Sequence, residues 1–133
     1  MRRQRLSATV VILALMLSAA CKPPASIQTE PGKRAYYAAQ VLQRVAEVQN
    51  VAIQLSATNP PALAVDHARI IVQFCVSAAK VLKQADEGWA KVVLASWMET
   101  KALLPASVYQ NAQLVTLFAV LDSLLQTFAG VTP

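Results

Sequence analysis

The run Val41-Leu-Gln-Arg-Val45-Ala-Glu-Val48-Gln-Asn-Val-Ala52-Ile-Gln-Leu55 returns to an apolar residue in steps of four and three: Val41, Val45, Val48, Ala52, Leu55. At about 100° per residue those positions form one stripe down an α-helix. Gln40, Gln43, Arg44, Glu47, Asn50 and Gln54 supply polar cover around it. A stripe of this kind has to be buried against another element, so the run predicts a packed helix over about residues 33–57. Thr58-Asn59-Pro60-Pro61 ends it, because neither proline has a backbone N–H to donate.

Three more segments downstream repeat the pattern. The second helix is expected over about 62–85, with Ala68, Ile71, Cys75, Ala78 and Leu82 on one stripe and Ile70, Phe74 and Val81 beside it. That apolar arc is broad enough for more than one neighbour. Asp86-Glu87-Gly88 breaks it, and Gly88 is expected to take the left-handed backbone at the helix end. A third helix over about 89–104 aligns Trp89, Val93, Trp97 and Leu104 and stops at Pro105. The fourth, about 108–129, carries Leu114, Phe118, Leu121, Leu125 and Phe128, with Ser107 and Gln110 at capping-box spacing. Gln110, Asn111, Gln113, Asp122 and Gln126 interrupt it, so a second membrane span is not expected. No turn flanked by alternating residues signals a hairpin. The expected fold is all-α: a small antiparallel helical bundle of about four helices over residues 33–130.

The chain opens in another style. Arg2, Arg3 and Arg5 precede an apolar stretch from Leu6 to Leu17, and Ser18-Ala19-Ala20-Cys21 follows. Basic, apolar and then small residues make a signal peptide over residues 1–20. A membrane span needs roughly 20 apolar residues. The stretch from Leu6 to Ala20 has fifteen, with Ser7, Thr9 and Ser18 among them.

The ending resembles the lipobox of bacterial lipoproteins, over residues 1–21 only. Ala19 and Ala20 fit its small positions, while Ser18 stands where the family usually has Leu. The resemblance implies a diacylglyceryl group on Cys21, and hence a membrane as partner through that lipid. Lipoproteins retained in a Gram-negative inner membrane often carry Asp after the cysteine. Lys22 therefore implies the outer membrane, facing the periplasm, in such a cell. Ser18-Ala19-Ala20 is also a small-x-small site for ordinary signal peptidase, which would leave a secreted or periplasmic soluble domain. Both routes cut after Ala20. The Pro-rich stretch that follows Cys21, up to residue 32, is a tether, and its eleven residues stretch to about 35 Å.

Removing twenty residues from 133 leaves 113, enough for one domain with a core. The charge of +5 belongs largely to the leader. Without its three arginines, nine Lys or Arg face seven Asp or Glu. A formal +2 gives no footprint for nucleic acid. His67 is the single histidine and glycine occurs three times, so neither a zinc ligand set nor a phosphate-cradling loop is expected. No metal and no cofactor is expected. Two fragments of active-site grammar also dissolve. Ser77-Ala78-Ala79-Lys80 has the Ser-x-x-Lys spacing of penicillin-recognising enzymes without their companion motifs. Asp66 and His67 are neighbours on a helix and point about 100° apart.

One feature points to binding. A second row on the first helix, Ala39, Leu42, Ala46 and Ile53 with Gln49 at the same spacing, lies roughly 120–160° from the main stripe. Leu42 and Ile53 are the candidate contact residues for a protein partner or a homo-oligomer, if the row is not covered by a second neighbour in the bundle. The expected function is a non-catalytic, lipid-anchored envelope module. The alternatives are an exclusion or lysis accessory of a phage or plasmid, and a secreted protein holding a small apolar ligand near Phe74, Trp89 and Trp97. Cys75, set among apolar neighbours, is expected in the core and not in a bridge to Cys21.

Overall fold

The computed structural model describes residues 23–130; the expected signal peptide over residues 1–20, Cys21, Lys22 and residues 131–133 lie outside the described residues. Four helices make up most of the fold: α1 (Glu30–Ser56), α2 (Val65–Gln84), α3 (Trp89–Leu103) and α4 (Ala112–Ala129). A short 3-10 helix, Ala106–Gln110, precedes α4, and no strand occurs among the described residues. α1 packs on α2, α2 on α3, α3 on α4, and α4 returns to α1. The result is the expected bundle, closed as a ring. Its antiparallel sense is visible in the rings: Tyr37 near the start of α1 and Trp89 at the start of α3 both meet Phe128 near the end of α4.

Local chemistry moves several boundaries from their expected places. α1 starts at Glu30 and so takes up the last residues of the tether. Thr29 caps it, its hydroxyl oxygen accepting the Gly32 N–H at 3.1 Å, and Pro31 sits in the first turn where a missing N–H costs nothing. A Cβ on Gly32 would lie 2.8 Å from Thr29 Oγ1 and 3.0 Å from Ile27 Cγ2, so glycine is what lets this cap close. α2 starts at Val65 because the preceding residues fold back on α1. The Ala62 and Leu63 N–H groups donate to the Leu55 carbonyl at 3.0 and 3.2 Å, and Thr58 Oγ1 also accepts from Ala62 at 2.7 Å. That turn buries Leu63.

Two expected caps are corrected. Ala85, at φ 49°, takes the left-handed position that ends α2, because its N–H already closes on the Val81 carbonyl at 3.1 Å. Gly88, at φ 80°, instead introduces α3. Ser107 and Gln110 do not cap α4; both fall in the 3-10 helix, which carries Val108 into the core. The cap is Asn111, whose Oδ1 accepts from Gln113 N and Leu114 N, both at 3.1 Å.

The core follows the predicted stripes. Val41, Val45, Val48, Ile71, Cys75, Val93, Leu114, Leu121 and Leu125 are essentially sealed from water. The eight aromatic residues divide into two clusters. Phe74, Trp97, Phe118 and Tyr109 stack within the bundle, and Tyr36, Tyr37, Trp89 and Phe128 gather at the end where α1 begins. By length and mean hydropathy (1.4), α4 is apolar enough to cross a membrane. Here its apolar face is spent on the bundle. Asp122 on its flank accepts from Trp97 Nε1 at 2.5 Å and from Lys101 Nζ at 2.8 Å, tying α4 to α3.

Candidate binding surfaces

The second row on α1 lies along the junction with α2. Tyr37 reaches α4 through Phe128, which fixes the flank of α1 that faces α4. Leu42, Ala46, Gln49 and Ile53 are on the opposite flank by helical angle, so they border α2. The same reasoning applies to α2. Phe74 meets Trp97 of α3, which puts Val65, Val72, Val76 and Ala79 on the flank bordering α1.

The two expected contact residues part company here. Leu42 is half-buried and packs against the core, whereas Ile53 is 48% exposed. On the same junction α2 carries Val65 at 53% exposure and, about 16 Å further along the helix, Val76 at 45%. The α1–α2 flank is therefore partly used for packing and partly open. Exposed Arg69, Lys80 and Lys83 edge it on the α2 side. Val65 and Val76 escape a reading by stripes because each follows closely on a core residue, Leu63 or Cys75, and in so apolar a run the exposed valine does not stand out from the buried residues. Val76 lies about 100° from Cys75, and that offset was the available clue.

The expected ligand pocket is divided. Phe74 and Trp97 are core residues with ring centroids 4.9 Å apart, and Trp97 is fully buried. Trp89 belongs elsewhere. With Arg34, Tyr37, Lys91 and Phe128 it lines an open cleft of about 620 Å³ at the end of the bundle where α1 begins. Its rings are in contact, Tyr37 to Phe128 at 4.8 Å and Trp89 to Phe128 at 5.9 Å between centroids. A second groove of about 470 Å³ runs between α3 and α4, with Met98, Tyr109 and Val115 at its exposed edge and Phe118 below.

The remaining singled-out residues have local roles. Ser77 and Lys80 are both exposed on α2. Asp66 pairs with Arg69 at 3.5 Å, and His67 is half-buried. Cys75 is a free thiol in the core, and burial pushes its pKa up to about 12. It is therefore a protonated packing group at neutral pH. Among the described residues, no three His, Cys, Asp or Glu side chains come together as a metal site requires. Cys21 lies outside the described residues. No family model matches the chain, and no curated protein or solved structure is significantly similar to it.

Proposed function

We propose that this chain is a non-catalytic cell-envelope protein, anchored by lipid on Cys21, whose bundle binds a protein partner or a second copy through the α1–α2 flank. The observation that carries the binding half is the open apolar surface of Ile53, Val65 and Val76, each close to half exposed on the same junction. Apolar side chains grouped on one flank are better covered than wet, and covering them contributes roughly 25 cal/mol per Å² of surface removed from water. The lysines and arginine along the α2 edge favour a partner that brings acidic residues to the rim. The anchor half rests on the lipobox-like ending at Cys21. A lipid there confines the bundle to a surface and raises its effective concentration without adding a contact.

The test is the double substitution Ile53→Glu with Val76→Glu. Both side chains are exposed, so helicity and melting temperature should hold while the complex is lost, as read by light scattering on protein taken from its membrane. An unchanged assembly in that variant would remove the α1–α2 flank as the contact. Leu42→Glu serves a different purpose: Leu42 packs on the core, so its loss mixes folding with binding.

A further inference from the structure

We propose that the cleft at the α1 end of the bundle binds the headgroup end of an anionic phospholipid, with its phosphate on Arg34 and its first acyl carbons against Tyr37, Trp89 and Phe128. Arg34 is the reason for an anion. Its Nε is shut off from water without a hydrogen-bond partner, and the guanidinium has no ion pair with a described residue. A partly buried cation with no direct ion pair is costly, and an arriving anion that bonds to it relieves that cost. The planar fork of a guanidinium matches two oxygens of a phosphate.

The walls select the rest of the ligand. Three touching rings present an apolar surface that a bare inorganic ion would leave unused. Lys91 adds a second cation to the lining and Glu87 an acid, a balance that suits the single charge of a phosphodiester over a dianion. Gly88 and Trp89 open α3 beside the cleft with no side chain capping that helix, which adds to the positive field. A cleft of about 620 Å³ is in the range of small-ligand sites. Its place also fits, since the chain enters α1 at Thr29 on this same end. Only that last point rests on the lipid-anchor reading; the chemistry of Arg34 and the rings does not.

The probe is dihexanoyl phosphatidylglycerol kept monomeric, titrated into the full chain carrying Cys21→Ser and followed by tryptophan emission and calorimetry. A saturable change is expected, and Arg34→Gln should weaken it by about tenfold or more. Arg44→Gln, on α1 but outside the cleft lining and paired with Glu47, should leave it unchanged. If Arg34→Gln loses helicity, Arg34→Lys keeps the charge without the fork and should bind with intermediate affinity. Absence of saturable binding overturns the proposal, as does unaltered affinity in both Arg34 variants. An equal affinity for inorganic phosphate would also overturn it, because the aromatic wall would then play no part. Equal affinity for dihexanoyl phosphatidylcholine would do the same for the anionic requirement. Cys21→Ser takes the anchor out of the assay, so failure here bears on the cleft alone.

Discussion

Asp122 interrupts an apolar helix, and the indole it faces explains why. Trp97 is fully buried, so its N–H has no water to turn to if the carboxylate at 2.5 Å is removed. Asp122→Ala should therefore lower stability by about 2–3 kcal/mol in urea unfolding, the cost of an orphaned buried donor plus a lost charged contact. Lys101→Met should cost less than about 1 kcal/mol, because the ammonium sits nearer to water and its loss leaves no buried donor behind. Cys75 makes a different prediction. Its thiol is raised from 9.0 to about 12 by burial. Below pH 9 both folded and unfolded chains keep the proton, and stability is unaffected by this group. Above pH 9 the unfolded chain releases it while the folded chain holds it. The contribution of Cys75 should then fall by about 1.4 kcal/mol per pH unit until the folded thiol also ionises near pH 12. The difference in unfolding free energy between the wild type and Cys75→Ala, measured from pH 8 to pH 11, isolates it.

At the scale of elements, the stripes and the C-terminal ends were legible, and the starts of α1, α2 and α4 were not. Val41-Val45-Val48-Ala52 and Leu114-Phe118-Leu121-Leu125 are buried as their spacing requires, because a helical period is a local property. Caps depend on which competing local bond wins. Ser107 and Gln110 have capping-box spacing, yet Val108 between them is drawn inwards, so the chain turns once more and Asn111 does the capping. Thr29 and Pro31 did carry a start signal, a capping side chain followed by a proline in the first turn. Asn111→Ala should cost about 1 kcal/mol, as the N–H groups of Gln113 and Leu114 lose their acceptor. Ala85→Gly should act the other way. A left-handed backbone at φ 49° is strained for alanine, and relieving it should raise stability by about 0.5–1 kcal/mol, net of the methyl that Ala85 packs on the core. Thermal or urea denaturation of each single variant checks both signs.

For the molecule as a whole, the number and class of elements followed from periodicity, but their neighbours did not. Which flank of α1 is covered depends on α4 closing the ring, a contact across roughly the full length of the domain. That is why Leu42 and Ile53, equivalent by spacing, end with different surroundings. The end cleft was hidden for the same reason: Arg34, Trp89 and Phe128 are far apart in sequence and meet only when three helices do. The leader, by contrast, is read in one pass, and the membrane anchor we propose at Cys21 rests on that stretch of sequence alone. Replacing Cys21 with Ser should move the protein from the membrane fraction to the soluble periplasm with its helical content unchanged, as fractionation and circular dichroism would report. The most direct measurement is intact mass spectrometry of the protein recovered from membranes of a bacterial host. The account predicts a chain that begins at Cys21 and carries the mass of a diacylglyceryl group. A chain beginning at Cys21 with no added lipid, or one that retains residues 1–20, would contradict it.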